Sequence, residues 1–267
     1  MADTTSNVNR HNRRDFLKKT ALAATAGLTA STLLSSSGCS AIESFDAGTY
    51  RLTETKRVIL FQGDSITDWG RNRSKENTPN DSQCLGSGYV LLTAGALLDE
   101  YSKIKPVIYN RGISANKVFQ LAERWDKDCI DLKPDLLSIL VGVNDFWHTL
   151  NAGYTGTLEK YQNDYRALLE RTKKALPAVT LVICEPFVLK CGSVNQQWFP
   201  AFDGYRAAAK KVAAEFKTIF VPFQSAFDKA VKTAPPQYWV IDGVHPTVAG
   251  THLMAKTWLK TVFGIKT

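Results

Sequence analysis

Two short motifs in this sequence hold the residue types needed for acyl transfer. Ser65 lies in GDSIT, directly after an apolar run, and Asp242 and His245 lie three residues apart in DGVHP. A serine hydroxyl becomes a nucleophile when a neutral imidazole takes its proton, and a carboxylate can hold the other ring nitrogen of that imidazole. The sequence therefore suggests a triad in which Ser65 attacks, His245 is the base and Asp242 orients it.

The same chemistry needs hydrogen-bond donors for the negative charge of a tetrahedral intermediate. Candidates are the backbone amides of Ser65 and Gly112 and the side-chain amide of Asn144. Gly112 lies in NRGIS and Asn144 lies in VGVND, and each follows an apolar stretch. A glycine at position 112 would also let the backbone come close to a substrate.

Each of these residues also has an ordinary structural interpretation. Ser65 could cap the helix that follows it, and Asp242 could cap the last helix of the chain. Gly112 could be a turn residue, Asn144 an Asx-type loop residue, and His245 a structural histidine. Their order along the chain, each after a separate strand or before the last helix, favours the catalytic interpretation.

The elements that must position these residues alternate between apolar strands and amphipathic helices. This alternation predicts an α/β fold with a parallel sheet covered on both faces. Because active sites of such sheets gather at the carboxyl ends of the strands, the four motifs are expected to converge there. The predicted strands are 57–63, 106–112, 134–145, 179–186 and 217–223, and the predicted helices are 88–101, 116–132, 158–176, 202–216 and 246–263.

Together the motifs resemble those of the SGNH, or GDSL-type, hydrolase family. They are GDSIT (63–67), NRGISANKV (110–118), VGVND (141–145) and DGVHP (242–246). The resemblance implies a flavodoxin-like, three-layer α/β/α sandwich with a five-stranded parallel sheet. It also implies the roles argued above, with Ser65, Asp242 and His245 catalytic and with Ser65, Gly112 and Asn144 in the oxyanion hole. GDSITDWGR, GSGYV and KPDLLSILVGVNDFW further resemble a bacterial subgroup that includes acetylxylan esterases.

The resemblance implies a serine esterase that removes small acyl groups, chiefly acetyl, from carbohydrates such as acetylated xylan fragments. The expected partner is an acylated carbohydrate, and no cofactor or metal is expected, since the sequence has no P-loop, dinucleotide fingerprint or metal-ligand spacing. Two alternatives stay open. One is a lipase or thioesterase of the same family that acts on lipid or aryl esters, and the other is a non-catalytic sugar-binding protein.

Several side chains next to the motifs are candidates for contact with the substrate. They are Asp64, Trp69, Trp147, His148 and Trp239. Aromatic faces pack well against sugar rings, but the tryptophans could equally line the core. The polar stretch 71–88 could shape the cleft or be a solvated loop, and Asp68 and Arg71 are expected to pair and brace the first loop.

Residues 1–39 have the pattern of a twin-arginine export signal. Arg13 and Arg14 are followed by an apolar pair, two lysines and an uncharged stretch of small residues. A short amphipathic helix or a membrane anchor is the alternative. Cys39 in SSSGCSA resembles a lipoprotein cleavage site, although Ser36 stands where an aliphatic residue is usual. Membrane attachment through a lipidated Cys39 and an unmodified Cys39 both stay open.

A linker at 40–56 and a hydrolase domain at 57–267 are then expected, in a protein that is periplasmic, lipid-anchored or secreted. The composition is that of one globular core, with 44% hydrophobic and 22% charged residues. The net charge is +8, but no basic run follows the export signal, so nucleic acid is not an expected partner. Of the remaining cysteines, Cys184 and Cys191 are near enough in sequence to form a disulfide, or they are two buried thiols.

Overall fold

The computed structural model describes residues 50–266, so the expected export signal, Cys39 and residues 40–49 of the expected linker lie outside the described residues. The strands are β1 (Val58–Gly63), β2 (Val107–Asn110), β3 (Leu136–Leu140), β4 (Thr180–Cys184) and β5 (Ile219–Val221). The helices are α1 (Ser65–Asp68), α2 (Ser82–Leu85), α3 (Tyr89–Glu100), α4 (Val118–Glu123), α5 (Trp125–Asp128), α6 (Val143–Asn151), α7 (Leu158–Ala175), α8 (Ala201–Glu215), α9 (Phe223–Ala230), α10 (Pro236–Trp239) and α11 (Val248–Phe263).

All five strands are parallel and lie in the order β2-β1-β3-β4-β5. Ile59 of β1 lies opposite Ile108 of β2 on one side and Leu136 of β3 on the other. Every residue of β3 is buried, which is expected of a strand that has helices on both faces. The five-stranded parallel sheet predicted from the sequence is therefore confirmed.

Helices cover both faces of the sheet. On one face α11 packs against α3 and α9, and on the other α7 packs against α4 and α8. Phe61 of β1 contacts Trp258 of α11, with 5.0 Å between ring centroids. In the other helical layer, the indole nitrogen of Trp125 donates to Thr172 Oγ1 at 2.9 Å. The result is a three-layer α/β/α sandwich.

The strand order places the opening of the sheet next to Ser65. The chain goes from β1 to β2 on one side and then crosses to β3 on the other side of β1. A crevice forms outside the carboxyl ends of the strands at such a reversal. Ser65 begins α1 directly after β1, and Asn144 lies in the first turn of α6 after β3. The topology therefore brings both residues to the same crevice.

Some predicted boundaries were wrong. The strand predicted at 134–145 ends at Leu140, because Gly142 has a φ of +134° and α6 starts at Val143. The helix predicted at 116–132 is broken into α4, α5 and a 3₁₀ turn. Arg124 lies at this break and donates through Nη1 to both the Arg111 carbonyl and Asp128. These tertiary contacts outweigh the local helical pattern.

Residues 50–56, the described end of the expected linker, are packed against the domain. The Leu52 side chain is 4% exposed and belongs to the hydrophobic core. The backbone N–H of Tyr50 donates to the Val262 carbonyl of α11 at 2.8 Å. The folded domain therefore includes this segment.

Candidate active site

Ser65, His245 and Asp242 form a continuous hydrogen-bonded relay. Ser65 Oγ lies 2.9 Å from His245 Nε2, and His245 Nδ1 lies 2.8 Å from Asp242 Oδ2. All three side chains are partly exposed, so solvent and substrate can reach the serine oxygen. The structure thus brings together three residues that are separated by up to 180 positions in the sequence.

The ionised state of Asp242 determines which ring nitrogen of His245 carries a proton. Partial burial raises its pKa, but the backbone N–H groups of His245 and Val244 and the imidazole of His245 outweigh this, so the pKa lies below its usual value. An ionised carboxylate only accepts hydrogen bonds, so His245 Nδ1 carries the proton that it donates to Asp242. Nε2 is then the acceptor for the hydroxyl proton of Ser65, which is the arrangement a general base requires.

Asp64, not Ser65, caps the helix that follows β1. Asp64 Oδ1 accepts the backbone N–H of Ile66 at 3.0 Å, which leaves the Ser65 hydroxyl free for His245. The position before it must be glycine, since a Cβ at Gly63 would overlap the Leu140 carbonyl oxygen. Asp64 is 1% exposed, so its expected contact with the substrate does not fit the structure.

Asp242 is likewise free of the capping role considered from the sequence. Thr247 caps α11 by accepting the Gly250 N–H, while Asp242 Oδ1 accepts the backbone N–H groups of Val244 and His245. The loop at 189–194 holds this turn from outside. Its backbone N–H groups donate to the carbonyls of Asp242 and Gly243, both at 2.8 Å. Sequence reasoning missed this support, because backbone contacts leave no mark in residue types.

Asn144 projects from the first turn of α6 and is anchored by one of its two amide hydrogens. Its Nδ2 donates to the Asn116 carbonyl at 3.3 Å, and the side chain is buried. An amide nitrogen has two hydrogens, so the second remains available as a donor. The structure is consistent with the oxyanion role expected of Asn144.

Gly112 does not fit the oxyanion role expected from the sequence. Its backbone N–H donates to Asn110 Oδ1 at 2.9 Å, and its carbonyl accepts Arg71 Nε at 2.7 Å. All of these groups are buried. Both hydrogen-bonding groups of the Gly112 peptide are therefore used inside the protein.

A packing requirement explains why position 112 is glycine. A Cβ there would overlap the backbone nitrogen of Asp68 and would lie 2.8 Å from the carbonyl carbon of Thr67. The expected pair between Asp68 and Arg71 is also absent among the described residues. Arg71 instead holds the Gly112 carbonyl, and Asp68 pairs with Arg73 at 3.0 Å.

Two of the predicted tryptophans lie close to His245. The ring centroids of Trp69 and Trp147 lie 5.9 Å and 6.2 Å from that of His245. Trp147 also contacts Trp198 at 5.6 Å, and Trp198 is fully buried beneath it. Both rings are partly exposed, so they present aromatic surface beside His245.

The two other predicted contact residues lie differently. His148 follows Trp147 on α6, and burial together with the charge of Lys117 lowers its pKa. Trp239 faces a groove between α9 and α11 that includes Lys229 and Leu253, and its indole nitrogen donates to the Ala234 carbonyl. The groove lining contains none of the triad, so Trp239 is not part of the candidate site.

Two buried carboxyl groups, Asp64 and Asp145, lie next to Ser65 and Asn144 in the sequence, and residue types alone do not indicate their protonation. Burial raises the pKa of Asp64 to about 7, with a smaller contribution from the charge of Asp145. Burial also raises the pKa of Asp145 to about 7. In each, one carboxyl oxygen accepts a backbone N–H and the other is buried without a partner among the described residues.

Other kinds of site were also sought within residues 50–266. No group of three metal-ligating side chains is found there, and no helix in that range could span a membrane. Cys84, Cys129, Cys184 and Cys191 are all buried free thiols, so the disulfide considered for Cys184 and Cys191 is not formed.

The sequence matches known proteins over most of its length. Residues 61–253 match the model of the GDSL-like lipase/acylhydrolase family. An acetylxylan esterase from Geobacillus stearothermophilus is 34% identical over 208 residues, which are 76% of this chain and 93% of that protein.

Solved structures agree with this relationship. A protein described as a GDSL-like lipase from Parabacteroides merdae is 56% identical, with a TM-score of 0.76 and coverage of 78% of this chain and 96% of that one. The Geobacillus acetylxylan esterase has a TM-score of 0.67 at 33% identity, with coverage of 77% and 94%. Catalytic mutants of that esterase replace a serine, an aspartate and a histidine by alanine. On this evidence, the chain belongs to the GDSL-like lipase/acylhydrolase family and is a carboxylic ester hydrolase.

Proposed function

We propose that this protein hydrolyses O-acetyl esters on carbohydrates such as acetylated xylan fragments, through a Ser65–His245–Asp242 triad and an acyl-enzyme. The observation that carries the proposal is the relay itself, with 2.9 Å from Ser65 to His245 and 2.8 Å from His245 to Asp242. A serine and a histidine at this distance, with the histidine held by an ionised carboxylate, are arranged for nucleophilic catalysis.

The first half of the reaction forms the acyl-enzyme. Ser65 Oγ attacks the ester carbonyl carbon while its proton passes to His245 Nε2, and the carbonyl π electrons move to oxygen. Asp242 stabilises the imidazolium that results. When the tetrahedral intermediate collapses, the bond to the sugar oxygen breaks and His245 gives its proton to that oxygen. In the second half, water attacks the acyl-enzyme by the same route and releases the carboxylic acid.

Two features support an acetylated carbohydrate as substrate. The relative named as an acetylxylan esterase covers three quarters of this chain at 34% identity. The partly exposed rings of Trp69 and Trp147, both close to His245, offer the kind of surface on which sugar rings pack.

Release of the carboxylic acid from a panel of esters tests this proposal. The panel contains acetylated xylooligosaccharides, acetylated pectin fragments, and acetyl and octanoyl esters of one aryl alcohol, with Ser65→Ala as the blank. The expected result is the highest kcat/KM on an acetylated oligosaccharide and a preference for acetyl over octanoyl. A preference for octanoyl would contradict the acetyl assignment and favour a lipid substrate. No Ser65-dependent release from any ester would contradict the whole proposal.

The N-terminal pattern adds a proposal about location. The twin arginines at Arg13 and Arg14 support export, and Cys39 supports lipid attachment after cleavage. Mass spectrometry of the mature protein should find a lipidated Cys39 as the first residue. An unmodified Cys39, or cleavage elsewhere, would reject the anchor, and an uncleaved N-terminus would reject export.

A further inference from the structure

A groove between α9 and α11 has no role in the proposed reaction. Its volume is about 630 Å³, and small-molecule sites usually measure roughly 300–1,000 Å³. Ala226 and Ala230 of α9 and Leu253 of α11 form part of its lining. The two alanines are one turn apart, so they lie on the same face of α9. The groove thus offers apolar surface in a space that is large enough for a small ligand.

Trp239 adds an aromatic surface to this groove. Its indole nitrogen donates to the Ala234 carbonyl at 3.2 Å, and its ring contacts the Tyr238 ring edge-on, with 5.0 Å between centroids. These contacts hold the orientation of a ring that is partly exposed and lines the groove. An aromatic face held in this way is suited to packing against the apolar face of a sugar ring.

Two lysines give the groove its charge. Lys229 lies in the last turn of α9 and Lys260 in the last turn of α11, and both are exposed. Within residues 50–266, neither ammonium group forms an ion pair, and no acidic side chain lines the groove. A lysine in a last turn also offsets the helix dipole, but that role does not require a groove without carboxylates. The groove therefore favours an anionic ligand.

Hydroxyl groups contribute further polar contacts. Thr257 and Thr261 line the groove, and their hydroxyls each donate at 2.8 Å to a carbonyl oxygen one turn earlier in α11. A hydroxyl oxygen that donates its hydrogen can still accept hydrogen bonds. Ser225 of α9 is exposed at the same groove. These groups match the hydroxyls of a sugar, which both donate and accept.

The groove begins close to the triad but shares no residue with it. Trp239 is three residues before Asp242, and its carbonyl accepts the backbone N–H of Thr247, two residues after His245. A ligand in the groove therefore leaves Ser65 free to react.

We propose that this groove is a second, non-catalytic binding site for a xylooligosaccharide that carries a uronic acid. The carboxylate of the uronic acid pairs with the ammonium groups of Lys229 and Lys260, and a sugar ring packs on Trp239. A neutral sugar leaves the two positive charges without a partner, and a fatty acid leaves the hydroxyls of Thr257 and Thr261 without one. This binding is separate from ester hydrolysis and does not depend on it.

Calorimetric titration of the full chain with two ligands tests the proposal. The ligands are xylotriose that carries one glucuronic acid and unsubstituted xylotriose, and neither contains an ester, so no turnover is needed. Exposed ion pairs are weak, so the acidic ligand should bind about three- to tenfold more tightly at low salt. Raising the salt from about 10 mM to about 1 M shortens the screening length from about 30 Å to about 3 Å, which should largely remove the difference. Equal affinity for the two ligands at low salt would overturn the proposal.

A double variant tests whether the two lysines cause this preference. Lys229→Gln with Lys260→Gln should lower the affinity for the acidic ligand about three- to tenfold and leave that for the neutral ligand unchanged. The matched control is Lys210→Gln with Lys211→Gln, which changes the net charge equally at two exposed lysines of α8, in the other helical layer. Thermal unfolding checks that both double variants fold. An equal loss of affinity in the two would make the effect one of net charge and reject the groove.

A crystal structure of the full chain with the acidic ligand provides a measurement that needs no variant. A carboxylate oxygen should lie within about 4 Å of Lys229 Nζ or Lys260 Nζ. An oligosaccharide found beside Ser65 and absent from the groove would reject the second site and leave the proposed function intact. Binding to vesicles of phosphatidylglycerol that depends on the two lysines, without binding of the acidic ligand, would reject the sugar and assign the groove to a membrane surface.

Discussion

The triad and the Gly112 loop lie at the same edge of the sheet but use their polar groups in opposite ways. In the triad, Asp242 is hydrogen-bonded to His245, and His245 is hydrogen-bonded to Ser65 Oγ. The Ser65 residue is partly exposed. Around Gly112, the buried side chains of Asn110 and Arg71 form hydrogen bonds with the N–H and the carbonyl of the Gly112 peptide. The first region has the arrangement that nucleophilic catalysis requires, and the second holds the backbone beside it.

The difference offers a general criterion for assigning roles in a site of this kind. A residue type that fits a motif is not enough, because Gly112 fits and yet has no free donor. What distinguishes a reacting group is hydrogen-bonding capacity that the protein itself leaves unused. By this criterion Ser65 and Asn144 are candidates for reacting groups, whereas the Gly112 peptide, whose N–H and carbonyl are both paired, belongs to their support.

The largest expected effect tests the role of Ser65 as the nucleophile. Ser65→Ala removes the nucleophile and leaves the cap at Asp64 intact, so turnover should fall about 10⁶-fold, as in other triad enzymes, with folding unchanged. The measurement is kcat on an activated acetyl ester, together with thermal unfolding. Ser102→Ala is the control, because this exposed serine precedes β2 at the amino ends of the strands. Turnover near that of the wild type in Ser65→Ala would remove the triad from the mechanism.

The next effect tests whether Asp242 determines which ring nitrogen of His245 carries the proton. Asp242→Asn keeps an oxygen for the N–H groups of Val244 and His245 but places an amide donor opposite His245 Nδ1. The imidazole must then carry its proton on Nε2, where it cannot accept the Ser65 proton, and kcat should fall about 10⁴-fold. Asp131→Asn, at an exposed carboxylate, is the control. A loss below tenfold would show that Asp242 does not set the tautomer.

A smaller effect, on stability, tests the packing around Gly112. Gly112→Ala places a Cβ against the backbone of Thr67 and Asp68, where no flexible side chain can yield. The free energy of unfolding in urea should fall by about 3 kcal/mol, at the upper end of the cost of overpacking. Gly95→Ala is the matched control, because the Cβ there meets nothing within 4 Å and the helix α3 should gain up to about 1 kcal/mol. Equal stability in the two variants would mean that the Gly112 contact is not restrictive.

The same contrast explains how much of the site could be predicted from the sequence. Ser65, His245, Asp242 and Asn144 were found because their functional groups are side chains, and side chains are visible as residue types at set spacings. A backbone N–H is present at almost every position, so nothing in the sequence shows that the Gly112 N–H is bonded to Asn110 Oδ1.

The fold shows a similar limit. The five strands were predicted from apolar runs between turn residues, because burial on both faces of a sheet demands such runs. The breaks around Gly142 and Arg124 were not predicted. Arg124 reaches the Arg111 carbonyl and Asn116 Oδ1, and no local pattern encodes those partners. Local periodicity therefore gave the elements, while long-range polar contacts set their ends.

The smallest expected effect, on stability, concerns Asp145, a buried carboxyl group. One of its oxygens has no hydrogen-bond partner within residues 50–266. Its carboxyl accepts the Val118 N–H, and burial raises its pKa from the usual 3.8 to about 7. The folded protein therefore holds this proton between about pH 4 and pH 7, where the unfolded chain has lost it. The stability linked to this proton is fully present below about pH 4 and is lost as the pH rises through 7.

Asp145→Asn keeps the acceptor for Val118 but cannot titrate, so its free energy of unfolding should escape this loss. Relative to the wild type, the variant should gain on the order of 1–3 kcal/mol between pH 5 and pH 8, whatever its stability at either pH alone. Urea unfolding at both pH values measures the difference, and Asp131→Asn, at an exposed carboxylate, should follow the wild type. An unchanged difference would mean that Asp145 is ionised in the folded protein at both pH values. The second oxygen of Asp145 would then need a partner such as water, and Asp145 would resemble the partly exposed residues of the triad.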